Sequence, residues 1–495
     1  MATMALSAMD NTIVATAIPQ VVRDLGGFSL FSWVFSAYLL TQTVTIPVCG
    51  KLADQWGRKP VLVAGTIVFL VFSGLCALSW NMVSLIAFRG LQGIGAGAIM
   101  ATVNTLAGDL YDLSERGRIQ GWLSSVWGVS AVLGPALGGS LAQYASWRWI
   151  FIVNLPVGAG SLTLIGRYLH ERVTPARHRL DVLGGLLILV AAGALVFGLL
   201  QGGVGWAWLS PPGVAVFAVA AAAAALAVRV ERRAAEPIMP PWIWSRRVLA
   251  GSGIGAAGLG VLVIGPSTFL PTYGQEVLGL GAIVAGGVLA TMSFGWPLAA
   301  SQSGRLFMRI GFRDTAVIGS VISVLGVLCF VLAPQPAGAW IAVASTLVLG
   351  FGLGLLSVCT VVGPQSTVAW QQRGTVTGAI MFSRYLGQSL GAAIFGAVFN
   401  AAILGRLRSA PPALRGRLPH QVNAVSAALG QPGRLSGTAV ASYLRQAIAA
   451  GVHDVYLGLA GVAVVTLIAV LAIIPRRFDT GAGDAASQAR EDSRA

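Results

Sequence analysis

Asp10, near the beginning of the sequence, and Arg89, within 83–108, are each a single charged residue inside an apolar stretch. An ionised carboxylate in the hydrocarbon of a membrane is costly, so Asp10 is a candidate proton carrier. The alternative is a carboxyl hydrogen-bonded for helix packing. Arg89 must face a cavity or a carboxylate, unless its side chain extends along the helix toward the membrane surface. Arg384 interrupts a later apolar stretch, and both a place in the cavity and a pair across helices remain open for it.

A charged loop, residues 50–59, follows the second apolar stretch and reads GKLADQWGRK. Its glycines permit a tight turn between two helices, and Asp54 can cap a helix N-terminus. We predict that Arg58 pairs with Asp109 and closes one end of the molecule, as an exposed pair contributing at most about 1 kcal/mol. The alternative is that the cations only orient the chain in the membrane. The residues of this predicted gate are Gly50, Asp54, Gly57, Arg58, Lys59 and Asp109.

The loop has a second copy at residues 304–313, which read GRLFMRIGFR. Both copies fit the pattern Gly-basic-Leu-x4-Gly-x-basic, and repeated halves with a site between them are typical of transporters. Met308 occupies the position that Asp54 has in the first copy, so we expect no equivalent charge pair in the second half.

The composition is that of an integral membrane protein. Of the 495 residues, 56% are hydrophobic and only 10% are charged, whereas soluble domains are about one quarter charged. The long apolar runs are each close to the roughly 20 residues that cross a bilayer as a helix, and their continuity argues against a membrane β-barrel. We predict fourteen spans, at 2–22, 29–49, 61–79, 83–108, 119–143, 149–167, 182–201, 211–228, 248–271, 282–302, 315–333, 340–363, 376–400 and 451–474.

The net charge of +15 is distributed by loop rather than gathered on one face. Loops on one side carry most of the cations, whereas the short loops opposite carry only Arg23 and Arg148. This asymmetry predicts a multi-pass inner-membrane protein with both termini cytoplasmic, and it argues against nucleic-acid binding. Residues 401–450 contain six arginines on the outer side, but long translocated loops count less; within them, 436–450 is predicted to form a short amphipathic surface helix.

The amino terminus has no basic segment before its apolar stretch, so we expect no cleavable signal. Nine residues precede Asp10, which is about 14 Å of helix. The first span is therefore barely complete, which leaves room for a true start upstream of Met1.

Glycines mark two predicted packing surfaces. Gly387 and Gly391 form a small-x3-small pair beside Arg384, which lets helices approach closely. The fifth span has a small face with a proline kink, formed by Gly128, Gly134, Pro135, Gly138 and Gly139.

Aromatic, amide and cationic side chains on spans expected to surround a cavity give a candidate substrate-binding set: Trp33, Tyr38, Gln42, Gln92, Trp127, Tyr273, Arg384 and Gln388.

Five stretches of the chain resemble the major facilitator superfamily, specifically its fourteen-spanner drug:proton antiporter branch, of the multidrug and quaternary ammonium exporter type. They are the loop 50–59, the span-four motif RGLQGIGAG at 89–97, the span-five antiporter motif at 128–139, DNTIV at 10–14 with Pro19, and WRWIFIVNLP at 147–156. The resemblance implies an all-α membrane protein with the major facilitator fold, and a role for Arg89 in proton coupling with Asp10.

The resemblance and the repeat together predict two six-helix bundles with two inserted helices. The predicted units are 1–169, the N-terminal bundle; 170–247, the inserted spans and linkers; 248–475, the C-terminal bundle with an extracellular loop at 401–450; and 476–495, a disordered cytoplasmic tail. We expect the inserted spans to be peripheral, since 182–201 and 211–228 contain no charged residue. The expected function is proton-coupled efflux of hydrophobic or cationic drug-like compounds by a monomer.

Other functions are less well supported by the residues. Export of a single native metabolite, antibiotic or lipid is the nearest alternative. A membrane enzyme would need a catalytic cluster, an ATP-driven pump would need a phosphate-binding loop, and the sequence has neither. The four cysteines and four histidines are scattered without metal spacing. We therefore expect no cofactor, with the proton as the coupling ion, and small hydrophobic molecules and the lipid bilayer as partners.

Overall fold

The computed structural model describes residues 1–26, 30, 32–169, 171, 181–202, 206–234, 236–415, 418 and 439–476. All but the first residue of the predicted disordered tail lie outside this part of the chain, as does most of 416–438. Within it, the only extended pairing is an isolated bridge between Gly202 and Trp206, and the remaining elements are helices.

The helices fall into three groups along the chain. The first group is α1 (Ala2–Leu25), α2 (Ser32–Trp56), α3 (Arg58–Ala77), α4 (Met82–Leu110), α5 (Leu113–Tyr144), α6 (Trp149–Ile152) and α7 (Asn154–Tyr168). The second is α8 (Val182–Gln201), α9 (Pro211–Glu231) and α10 (Trp242–Ser245). The third is α11 (Arg247–Thr272), a π-helical turn (Tyr273–Val277), α12 (Ala282–Ile310), α13 (Phe312–Val331), α14 (Ala339–Gln365), a 3₁₀ turn (Trp370–Gln372), α15 (Arg373–Arg408), α16 (Pro412–Arg415) and α17 (Ala439–Ile473).

Ten helices of the described residues are long and apolar enough to cross a membrane. Each of the fourteen segments expected from the sequence overlaps a described helix over most of its length, with the sixth divided between α6 and α7. However, α1, α2, α5 and α8 are not among the ten, so the count of fourteen spans stays a prediction.

The two copies of the loop motif have the same backbone geometry. Gly57 separates α2 from α3 with φ 97°, and Gly311 separates α12 from α13 with φ 90°. Such positive φ values favour glycine, which has no Cβ to clash. In the second copy Phe312 stacks on Phe307 with ring centroids 4.4 Å apart, so an aromatic contact stands where the first copy has a cation.

The first and third groups of helices meet along two seams. One seam joins α2 to α15 and the other joins α5 to α12. Glycines bring the backbones together, because a Cβ on Gly50 would lie 2.5 Å from the carbonyl oxygen of Gly374. Helix α8 packs on α9 and against α2 and α15. The inserted helices therefore lie outside the α2–α15 seam.

The segment between the last two spans is more helical than we expected. The separate surface helix predicted at 436–450 is wrong, because residues 439–450 are the first turns of the continuous helix α17. Val440, Leu444 and Ile448 follow a helical spacing and are buried in the core of the third group. Arg445 remains exposed. Likewise, α15 extends to Arg408, well beyond the predicted end at residue 400.

Candidate functional site

Asp10 on α1 is the centre of a buried polar network. Its carboxylate accepts hydrogen bonds from Nη1 of Arg89, from Nε2 of Gln92 at 3.2 Å and from Nδ2 of Asn154 at 3.2 Å. The side chains of Asp10 and Arg89 are 1% and 0% exposed. Each of these two buried charges compensates the other, because a buried charge without a partner is strongly destabilising.

Helix geometry places the rest of this Asp10 network. Arg89 and Gln92 are three residues apart on α4 and so share a face, and Nη1 of Arg89 donates to Oε1 of Gln92 at 2.7 Å. The Arg89 guanidinium lies 4.1 Å from the ring centroid of Tyr38 on α2. Asn154 is the first residue of α7, and its amide also donates to Oγ of Ser73 at 3.0 Å. Side chains of α2, α3, α4 and α7 therefore surround the carboxylate that α1 carries.

A second charged cluster lies where the 50–59 loop meets the start of α15. We call it the basic-end cluster; its members are Asp54, Arg58, Asp109, Trp370 and Arg373. Arg58 donates from Nε to Asp109 at 2.9 Å and pairs through Nη2 with Asp54 at 2.9 Å. Arg373 donates to the other oxygen of Asp109 at 3.0 Å. Because Arg58 comes from the first group of helices and Arg373 from the third, these contacts hold the two groups together.

This cluster is buried, whereas the sequence predicted an exposed pair. The Arg58 side chain is 0% exposed and that of Asp109 is 7% exposed. Arg58 also donates to the carbonyl oxygens of Ala53 at 2.9 Å and Trp370 at 2.7 Å, and its guanidinium lies 3.9 Å from the Trp370 ring centroid. Every nitrogen of the guanidinium is thus occupied.

Asp54 caps the N-terminus of α15 across the seam. Its carboxylate accepts from the backbone N–H of Gly374 at 2.8 Å and of Thr375 at 2.6 Å, and from the Thr375 hydroxyl at 2.7 Å. Burial raises the pKa of this carboxyl to about 6, against the opposing effects of Arg58 and the three hydrogen bonds. The cap anticipated from sequence is therefore made to a helix more than 300 residues away along the chain.

A cavity of about 470 Å³ lies between the two groups of helices. Four aromatic and four methionine side chains give it an apolar wall: Phe35, Trp127, Trp296, Tyr385, Met4, Met100, Met292 and Met381. Its polar groups are Thr12, Asn104, Gln120, Ser124, Ser267, Ser293, Ser357, Arg384 and Gln388. An apolar wall with a few polar groups is typical of sites for small amphiphiles.

Three members of the predicted substrate-binding set, Trp127, Arg384 and Gln388, line this cavity. The other five do not. Tyr38 and Gln92 belong to the surroundings of Asp10. Tyr273 donates to the Ala337 carbonyl at 2.8 Å within the core of the third group.

The remaining two predicted members lie on α2. Trp33 faces outward to Phe197 of α8, with ring centroids 5.3 Å apart. Gln42 is fully buried beside α4, where a Cβ on Gly97 would lie 2.7 Å from the Gln42 carbonyl oxygen. Both therefore contact neighbouring helices rather than the cavity.

The antiporter motif lies on α5 and borders both the cavity and α1. Gly128 lines the cavity, and Gly134 packs against Thr12. Gly138 is buried. The side chain of Pro135 and the surroundings of Gly139 lie outside the described part of the chain. The close approach of α1 to α5 is what the small face of the motif predicts.

Several contributors to these sites were missed from the sequence. Asn154 carries a signal, a lone amide at the start of an apolar stretch. Trp370 and Trp296 have none, since the sequence contains fourteen tryptophans and nothing distinguishes these two. Glu171 accepts from the backbone N–H groups of Arg58 at 2.9 Å and Lys59 at 2.7 Å, capping α3 from a linker.

Comparison with known proteins supports the same reading of the fold. The sequence pattern of the Major Facilitator Superfamily matches residues 1–392. The chain is 33% identical over 398 residues to the multidrug transporter protein MdtP of Bacillus subtilis, covering 80% of this chain and 74% of that one. It is 34% identical over 412 residues to multidrug resistance protein 3 of the same organism, covering 83% and 80%.

The crystal structure of the human organic anion transporter MFSD10 has the same fold. It superposes with a TM-score of 0.64 at 14% identity, over 95% of this chain and 97% of that one. With the family pattern extending over most of the sequence, the chain is a multi-pass membrane transporter, not an enzyme, and it belongs to the major facilitator superfamily.

Proposed function

We propose that this efflux transporter exports hydrophobic, drug-like compounds across the cytoplasmic membrane in exchange for protons. The bundles formed by 1–169 and 248–475 alternate the access of the central cavity, and both termini face the cytoplasm. The observation that carries the proposal is the buried pair of Asp10 and Arg89. A paired intramembrane carboxylate is the kind of group that can take up a proton at one membrane face and release it at the other.

The Asp10 network is connected to the cavity through α1 and α2. Thr12, half a turn after Asp10 on α1, lines the cavity and donates to the Ser130 carbonyl of α5 at 2.9 Å. Tyr385 of the cavity packs against the same apolar cluster as Tyr38. A displacement of α1 therefore changes both the cavity wall and α5, which forms the seam with α12.

Protonation of Asp10 supplies the cause of such a displacement. The neutral carboxyl no longer balances Arg89, whose remaining partners are Gln92, the Val34 carbonyl at 3.3 Å and the Tyr38 ring. The free energy of the buried cation then favours an arrangement in which Arg89 reaches water or another acceptor. In the present arrangement, the basic-end cluster keeps the cytoplasmic end closed.

Proton flux in proteoliposomes tests the proposal. The full chain is reconstituted with a pH-sensitive dye inside, and a panel of hydrophobic compounds is added. We expect substrate-dependent proton movement that Asp10→Asn abolishes while the protein remains folded in the membrane. Asp24→Asn is the matched control, because Asp24 lies on the same helix, is 49% exposed, and hydrogen-bonds Trp147 at the other end. Undiminished flux in Asp10→Asn would remove Asp10 from the mechanism, and a response to one compound alone would indicate a dedicated exporter.

A further inference from the structure

Arg384 is a cation in the central cavity that has no ion-pair partner among the described residues. It lies eleven residues after the start of α15, about 16 Å along the helix and hence deep in the membrane. Its guanidinium lies 5.0 Å from the ring centroid of Trp296. Within the described part of the chain it makes no ion pair or hydrogen bond, and its Nε is buried without an acceptor.

Arg89, another arginine deep in the described part of the fold, shows which kind of group such a cation pairs with. Arg89 is held by the Asp10 carboxylate and by Gln92. Charged groups at this depth pair with one another or face a water-filled pathway. Arg384 faces the pathway, and the described residues provide it with no carboxylate. An acceptor that enters the cavity would complete its surroundings.

The other residues of the cavity wall restrict the charge and the shape of a ligand that fits beside Arg384. Its lining contains no Asp, Glu or Lys, so Arg384 gives it a net positive charge. A cationic ligand is repelled there, and the low dielectric of the site strengthens the repulsion. Trp127 and Trp296 offer flat apolar surfaces, and the methionines adapt to varied shapes. Arg presents a planar fork of N–H donors that matches a carboxylate.

We infer that the cavity takes aromatic monoanions, with the apolar body against Trp127 and Trp296 and a carboxylate on Arg384. This inference rests on the proposed efflux function and names its substrate class. It replaces the cationic compounds expected from sequence with anionic ones.

The charge of the substrate has a consequence for energy coupling. When one monoanion leaves for each proton that enters, two elementary charges cross the membrane in the same electrical sense. A neutral substrate moves one charge, and a monocation moves none. Because each charge responds to the membrane potential, anion export gains more from an inside-negative potential than export of a neutral analogue.

Binding of three matched probes tests the inference in the purified full chain in detergent. The probes are 2-naphthoate, its methyl ester and 2-naphthyltrimethylammonium, which share one aromatic body and differ in charge. We expect 2-naphthoate to bind at least 10-fold more tightly than either analogue. Arg384→Gln should lower the affinity for naphthoate about 10- to 100-fold, as the loss of a charge-assisted hydrogen bond predicts, and leave that for the ester within about 3-fold. Arg384→Lys should retain part of the preference.

The controls separate a binding role from a structural one. Arg309→Gln removes an exposed arginine of α12 that is outside the cavity, and it should change none of the three affinities. Equal binding of naphthoate and the ester by the unmodified protein overturns the inference, whatever the variants do. So does an equal loss of all probes in folded Arg384→Gln. Competition by short-chain phosphatidylglycerol but not by other aromatic carboxylates would assign Arg384 to a lipid headgroup instead, which also overturns it.

Failure here is distinguishable from failure of the proposed function. If 2-naphthyltrimethylammonium binds best and drives proton release that depends on Asp10, proton-coupled efflux stands and the anionic substrate class falls. If naphthoate binds through Arg384 without any proton movement, the anionic substrate class is supported and proton-coupled efflux is contradicted.

Discussion

Breaking the contact between Arg58 and Asp109 should open the end of the transporter that the basic-end cluster holds closed. Asp109→Asn keeps the shape of the side chain but removes the charge that Arg58 and Arg373 share. A hydrogen bond to a charged group contributes about 1.5–3 kcal/mol. Arg58 keeps Asp54 and two carbonyl acceptors in the variant, so the lower part of that range applies. We expect the ratio of open to closed molecules to rise about 10- to 30-fold.

A native cysteine reports this opening. Cys49 is buried in the same apolar cluster as Val376 and Ala379, at the seam between α2 and α15. A water-soluble maleimide reaches Cys49 only when the seam opens, so its rate of modification follows the population of the open form. The exposed Cys329 is replaced by Ser, and peptide mass spectrometry identifies the modified residue.

A double-mutant cycle decides whether the contact itself is responsible. Arg58→Gln and Asp109→Asn should each accelerate modification of Cys49, and the double variant should be little faster than the faster single one. Asp112→Asn is the matched control, since Asp112 is exposed and lies three residues from Asp109. Additive effects in the cycle, or an equal acceleration by Asp112→Asn, would show that the reasoning about this pair is incorrect.

Three further predictions concern the closed end, the helix packing and the inserted spans. The pKa of Asp54 is about 6 in the closed form and about 3.9 when the side chain is exposed, so protonation of Asp54 stabilises the closed form. Lowering the pH from 7 to 5 should therefore slow the modification of Cys49 about tenfold, relative to the modification of free cysteine over the same pH range. Asp54→Asn should remove this pH dependence. Gly387→Ala should lower the melting temperature by several degrees, because its Cβ would meet the Ala257 backbone, whereas Gly396→Ala on the same helix has open space and should not. The affinity for 2-naphthoate should be unchanged by Val219→Leu and Leu226→Ile, which alter the exposed face of α9. Trp127→Leu in the cavity should weaken binding. Weaker binding by the α9 variants would place the inserted helices on the transport pathway.

The fold class follows from the sequence, because continuous apolar runs of this length can satisfy their backbone only as membrane helices. It also identified Asp10, Arg89 and Arg384, because a charge inside such a run is conspicuous whatever surrounds it. The glycines of the loop 50–59 predicted a tight turn, and the structure makes this turn at Gly57 with positive φ and repeats it at Gly311.

Which faces of the helices meet could not be predicted from the sequence and became known from their packing. Membrane helices that are apolar on all sides lack the periodic pattern that indicates their inward face. For that reason Trp33, Tyr38 and Gln42 could not be separated from Trp127 and Gln388 before the helices were packed. The same ambiguity left Arg384 open between a cavity and a pair. Packing also placed Arg58 out of contact with water, which turned an exposed pair into a buried cluster, and it brought Asp54 to the first turn of α15 from the far end of the chain.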